Sequence, residues 1–187
     1  MKIIAKTYKW AHPLVHRNGP PPHIIWHHAA AKDISADQIH ALHIRNGWSG
    51  IGYHFFVDKQ GRIYRGRPLW AMGAHARDYN DSIGICAEGA YHVEKTMPAK
   101  QLGALQELHD HLHSAYPKAT DKKHSDVNAT ACPGKFYPYR AVIGGVKKPV
   151  GIKLPVPEKK PPWWGKMMAW LKVYKKHHPE RKVKGRG

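Results

Sequence analysis

Cysteine is scarce in this chain, with two residues, Cys86 and Cys132, among 187. Two are too few for a disulfide framework, so a reduced or redox-indifferent protein is expected. Long apolar runs are missing as well. No stretch reaches the roughly 18 consecutive apolar residues that a membrane span requires. Lys6 and Lys9 interrupt the first residues, so no secretory leader is read there and synthesis in the cytoplasm is expected. Internal repeats are not evident, which leaves an ordinary domain with an appendage. Acidic residues are few. Thirteen Asp and Glu stand against 31 Lys and Arg, for a net charge of +18.

That charge is unevenly placed. Residues 1–146 carry 18 basic and 11 acidic side chains, a net of +7, whereas residues 147–187 carry 13 and 2, a net of +11. The last fifth of the chain therefore seeks a polyanion: nucleic acid, anionic lipid or an acidic envelope polymer. Residues 147–162 read as an extended Pro/Lys-rich linker. Beyond it, Trp164, Met167, Leu171 and Tyr174 recur at helical spacing among lysines, the pattern of a cationic amphipathic helix over 163–187 lying on an anionic membrane surface. The competing reading docks that apolar face on the preceding domain.

Residues 1–146 alternate strand and helix signals. His23 to His27 reads as a buried strand after the turn-forming Gly19-Pro20-Pro21-Pro22. Ser35 and Gln38 form a capping box that opens a helix with Ile39, Leu42 and His43 on one face, stopped at Asn46-Gly47. Residues 53–57 and 62–65 read as a hairpin around Asp58-Lys59-Gln60-Gly61, and 82–87 as another buried strand. A long helix from about Pro98 to Tyr116 spaces Leu102, Leu105, Leu108 and Leu112 along one face. The expected architecture is α/β, a central mixed sheet flanked by helices.

The chemistry concentrates in three residues. His124 and Cys132 stand eight positions apart, and His27 ends the first apolar run. Two imidazoles and a thiolate form a ligand set that zinc favours, and three protein ligands leave a fourth position open to water. With sixteen histidines in the chain, the spacing alone is equally well read as coincidence.

Four segments in order change that balance: Ile25-Trp26-His27-His28, the run from Gly47-Trp48 to Tyr53-His54-Phe55, Gly73-Ala74-His75-Ala76 with Asn80 to Ile85, and His124-Ser125-Asp126 to Cys132-Pro133-Gly134. Over residues 20–142 the chain resembles the zinc-dependent N-acetylmuramoyl-L-alanine amidases of the peptidoglycan-recognition-protein and phage-lysozyme type. The resemblance implies zinc on His27, His124 and Cys132, and hydrolysis of the muramoyl–alanine amide of peptidoglycan by a metal-activated water. It makes Tyr53 a catalytic tyrosine. Thr130 falls where some relatives carry a catalytic lysine and others a threonine. Binding-only recognition proteins typically lose the cysteine ligand, so Cys132 favours an enzyme.

Around this set, Trp48, His75, Arg77 and Asn80 are candidate substrate contacts. Asp126 is a candidate orienter of a ligand histidine, and Glu88 shares a strand face with Cys86. Cys86 itself reads as a buried small hydrophobe. His28 and His54 alternate with their neighbours and need not face the metal. His109 and His113, spaced i, i+4, can pair on a metal on paper, but such pairs are ordinarily solvated and this one is set aside. The functional expectation is a monomeric wall hydrolase, an endolysin acting on peptidoglycan after release from the cytoplasm. An interbacterial effector or autolysin shares the same active-site residues. A non-catalytic peptidoglycan-binding module is the second class. A nucleic-acid-binding protein ranks last, since charge alone says little about site chemistry.

Overall fold

The computed structural model describes residues 1–144 of the chain. The linker expected over 147–162 and the cationic helix expected over 163–187 lie outside the described residues.

Six strands form one mixed sheet: β1 (Ile3–Ile4), β2 (His23–His28), β3 (Phe55–Val57), β4 (Ile63–Arg65), β5 (Ile83–Ala87) and β6 (Thr120–Lys123). Their spatial order is β1-β4-β3-β5-β2-β6. Only the β3–β4 hairpin is antiparallel; the other neighbours run parallel. Asp58 shapes the hairpin turn, its Oδ1 accepting the amides of Gln60 and Arg62 at 3.0 and 2.8 Å. Gly61 sits there at φ +78°, where a side chain is strained.

Among the described residues the helices are α1 (Ala36–Arg45), α2 (Ala99–Ala115) and α3 (Tyr139–Ile143). The period-2 alternation of the strands sends opposite sets of side chains to the two faces of the sheet. Ile24 and Trp26 of β2, Phe55 and Val57 of β3, and Ile83 and Ile85 of β5 pack with Leu105, Leu108 and Leu112 of α2 and Val142 of α3. On the other face Phe56 and Cys86 pack with Ile51 and with Ala36 and Ile39 of α1. The mixed sheet flanked by helices is the architecture expected from the sequence.

Helix α1 forms as its capping box requires: the Gln38 amide donates to Ser35 Oγ, and Ser35 N–H donates to the Gln38 side chain. Its buried face differs from the expectation. Leu42 is exposed, and Ala36, Ile39, His40 and His43 turn inward. The two histidines earn that position through hydrogen bonds, since His40 Nδ1 accepts the Ile51 amide at 3.1 Å and His43 Nδ1 the Gly52 amide at 3.0 Å. Strands β1 and β6 and helix α3 were not anticipated. β6 reads Thr-Asp-Lys-Lys with no apolar residue, and is held by backbone pairing with β2.

Candidate metal centre

Parallel pairing of β2 and β6 brings the site together. The register sets Ile24 beside Asp121 and Trp26 beside Lys123, so the next residues along each strand, His27 and His124, emerge side by side. This is the carboxyl edge of the parallel strands, where open α/β sheets gather their ligands. The chain then turns back: Ser125 N–H donates to the Cys132 carbonyl at 2.8 Å and Asn128 N–H to the His124 carbonyl at 3.0 Å. That loop closes on Gly134, at φ +98°, where a Cβ would meet the Tyr91 backbone at 2.4 Å.

One donor atom from each of His27, His124 and Cys132 falls within 4.8 Å of the others. Cys132 Sγ lies 3.8 Å from His27 Nδ1 and accepts the His28 amide at 3.4 Å. Neighbouring groups fix the tautomers. His75 Nε2 lies 3.2 Å from the Ser82 carbonyl, which can only accept, so His75 carries its proton there. Its Nδ1 is then an acceptor for His27 Nε2–H at 3.0 Å, which leaves the lone pair of His27 Nδ1 directed toward Cys132. His124 is treated alike, its Nε2 bonding Asn128 Oδ1 at 3.1 Å while Asn128 Nδ2 donates to the Arg77 carbonyl at 3.1 Å.

Electrostatics agree with a ligand set. Burial, with His75, His124 and His28 nearby, holds His27 well below its ordinary value, and burial lowers His124 too. Both are neutral imidazoles at neutral pH, the form that binds metal. Burial pushes the Cys132 thiol up to about 11, so a neighbouring cation is what would stabilise its thiolate. The donors present therefore fit a zinc-class ion in chemistry and in spacing.

His75 takes a different place from the one expected of it. Its ring is buried behind His27 rather than lining a groove. It occupies a slot left by Gly73 and Gly84, where an added Cβ would fall 2.4 Å from the ring. Asn80 builds the same loop, its Oδ1 accepting the amides of His75 and Ala76. Asp126 does not orient a ligand histidine. It accepts the Lys123 amide at 2.8 Å and closes the turn that follows β6, and the orienting role falls to Asn128. Glu88 is likewise turned away, accepting the Ile34 and Lys59 amides at 3.3 and 2.7 Å. Asn128 could have been suspected from its i+4 position after His124; nothing in the sequence marks His75 as the partner of His27.

Tyr53 stands over the centre, its ring centroid 5.1 Å from that of His27. Burial, then the Cys86 and Cys132 sulfurs, push its hydroxyl well above its ordinary value, so it remains a phenol and a donor. Trp48, exposed, packs on His43 at 4.5 Å, and His43 lies 5.8 Å from Tyr53. Thr130 is exposed and its Oγ1 accepts the Cys132 amide at 3.2 Å. The Arg77 side chain is exposed above the Asn128 contact. His54 and His28 are structural: His54 joins the Ala71 carbonyl to the Gly84 amide, and His28 Nδ1 accepts the Tyr91 amide.

Residues 17–135 match the protein family described as N-acetylmuramoyl-L-alanine amidase. The chain belongs to that family. It is 33% identical over 109 residues to an endolysin of Klebsiella phage KP32, a match spanning 56% of this chain and 72% of the relative. Among solved structures, the amidase LysC from Clostridium intestinale aligns with a TM-score of 0.73 at 37% identity, covering 77% of this chain and 96% of that one. The Ph2119 endolysin of a Thermus scotoductus bacteriophage aligns with a TM-score of 0.70 at 33% identity, over 77% and 99%. The family member described here is accordingly a peptidoglycan hydrolase of the N-acetylmuramoyl-L-alanine amidase class.

Proposed function

We propose that this amidase is zinc-dependent, with the metal held by His27, His124 and Cys132, and that it serves as an endolysin. The observation that carries the reading is the pair of oriented imidazoles, each with one nitrogen engaged by its neighbour, gathered on a thiol. A bound zinc ion supplies Lewis-acid polarisation of the scissile carbonyl and lowers the pKa of its water to about 7. His75 and Asn128 keep the two ligand rings in the productive tautomer and plane. Hydrolysis adds water across the amide between the lactyl carbonyl of N-acetylmuramic acid and the nitrogen of L-alanine. The oxygen goes to the carbonyl carbon, and the amine leaves with the proton.

Tyr53 donates its phenolic proton toward the oxygen on which charge develops, in a pocket where burial keeps the donor protonated. Thr130 accepts the Cys132 amide and still has its own hydroxyl proton to give to the same oxygen. Trp48 and Arg77, both exposed beside the site, are suited to contact the glycan and stem peptide. The phage relatives support lysis as the biological setting: synthesis inside the cell and action on the wall after release. The basic residues over 147–187 add a route to anionic envelope surfaces.

The deciding experiment incubates purified peptidoglycan with wild type and Cys132→Ser, with and without chelator and added zinc, and reads the soluble fragments by mass spectrometry. Stem peptides bearing a free L-alanine amine are expected from the wild type, and are lost in the variant and on chelation. Intact peptidoglycan with zinc-loaded wild type overturns the reading.

A further inference from the structure

On the opposite face of the sheet, a second group of donors converges. His109 and His113 stand one turn apart on α2, so their rings share one helix face, 4.5 Å apart. Asp121 of β6 points its carboxylate between them, with Oδ2 lying 3.2 Å from His109 Nε2 and 2.8 Å from His113 Nε2. We propose that His109, His113 and Asp121 form a second metal site that takes a divalent ion of the zinc class.

Three features distinguish the group from a solvated pair of histidines. The donor atoms lie within 4.8 Å of one another; the 3.2 Å contact of His109 matches the edge of about 3.3 Å in a tetrahedron with bonds of about 2.0–2.1 Å, and the 2.8 Å contact of His113 reaches it when the ring draws back. The outer partners are in place. The fully buried Trp26 donates its indole N–H to Asp121 Oδ1 at 2.8 Å, which aims the other oxygen at the histidines, and Asp110 Oδ1 engages His109 Nδ1 at 3.0 Å. A carboxylate behind a histidine is the arrangement that fixes ring orientation at metal sites.

Two carboxylates on one ring create an electrostatic demand. Both ring nitrogens of His109 face carboxylate oxygens, which only accept, so a neutral ring satisfies one of them and presents a lone pair to the other. The contact requires a cation between them, either an extra proton or a metal ion. Two imidazoles and one carboxylate favour zinc, cobalt or nickel over the hard cations, and three ligands leave room for water. The side chains are only partly exposed, at 12% for His109, 26% for His113 and 13% for Asp121, so an ion can reach the site from solvent yet is sheltered once bound. An ion there would tie α2 to the edge strand β6 and, through Trp26, to the strand that carries His27. Its role is structural, because no substrate-facing residue of the amidase site belongs to the group.

The test counts zinc per full-length chain after equilibration with the metal and removal of the excess. Two equivalents are expected in wild type, one in Cys132→Ser and one in His113→Ala, with the second lost in the Cys132→Ser/His113→Ala double variant. In the Cys132→Ser background, cobalt should give ligand-field absorption without a thiolate band, and His113→Ala should remove it. Asp121→Asn retains an oxygen for Trp26 and is expected to weaken zinc at least tenfold, with far-UV circular dichroism as the check on folding. Equal metal content in Cys132→Ser and the double variant overturns the proposal and leaves a proton as the shared cation. The amidase reading fails separately, through absent hydrolysis by wild type, so the two failures are distinguishable.

Discussion

The two faces of one sheet are built to opposite specifications. Toward α2 the strands present Ile24, Trp26, Phe55, Val57, Ile83 and Ile85, and leucines fill the space between. Toward the candidate metal centre, the same strands and their flanking loops present His27, Cys86, Tyr53, His54 and His75. The first face is held by apolar burial, which is tolerant of exact geometry. The second adds to a smaller apolar cluster a set of imidazoles that each need matched polar partners, His75 between His27 and the Ser82 carbonyl and His54 between the Ala71 carbonyl and the Gly84 amide. The difference teaches where stability and activity weigh most: the α2 face carries the larger apolar core, and the other face carries the polar groups of the site beside a smaller one.

Substitutions on the site face should break activity while sparing the fold, beginning with the most severe. Cys132→Ser removes the proposed thiolate ligand, and release of stem peptides is expected to fall to background while the far-UV spectrum is retained. Tyr53→Phe deletes only a hydroxyl. A loss of about 10²-fold in kcat is expected, the scale of one oxyanion donor or general acid, with zinc content unchanged in the same sample. Gly84→Ala places a Cβ 2.4 Å from the His75 ring. By disturbing the partner of His27 it should weaken zinc about 10- to 100-fold, measured by competition with a chelator.

On the α2 face the signature inverts. Leu108→Ala, at a fully buried position, should cost about 2–5 kcal/mol in denaturant unfolding, with kcat per folded molecule unchanged. Acid sharpens the same contrast. Burial lowers His43 and His75 to about 4, and His54 lies well below its ordinary value. A histidine so depressed takes its proton in the unfolded chain first, so stability is full above about pH 6.5 and declines as pH falls toward 4. His43→Gln, which keeps an acceptor for the Gly52 amide, should flatten that decline slightly in unfolding measured across this range.

Much of this was legible in the sequence, for particular reasons. The capping box at Ser35 and the leucine spacing of α2 are local patterns, and local patterns survive into the fold. The metal-ligand candidates stood out through four segments in the order of a known family, since among sixteen histidines the His/Cys spacing alone reads equally well as coincidence. What escaped was set by context. β6 has no apolar periodicity because it is an edge strand that pairs through its backbone. The buried face of α1 follows the i, i+3, i+4, i+7 rule, but histidines occupy two of its positions and Leu42 lies off it. Asp126 and Asn128 are both plausible partners for His124 by spacing, and only the turn geometry assigns one to Lys123 and the other to the ring. His75 reaches His27 across 48 residues, through a slot made by two glycines, which no local pattern encodes.

The parallel register of β2 and β6 also makes the site depend on a single pairing. His27 and His124 are separated by nearly a hundred residues of chain, and they stand together only where β6 is paired on β2. A partly folded chain can carry every ligand and still lack a binding site, and fraying of the four residues of β6 at the sheet edge is enough to take the two histidines apart again.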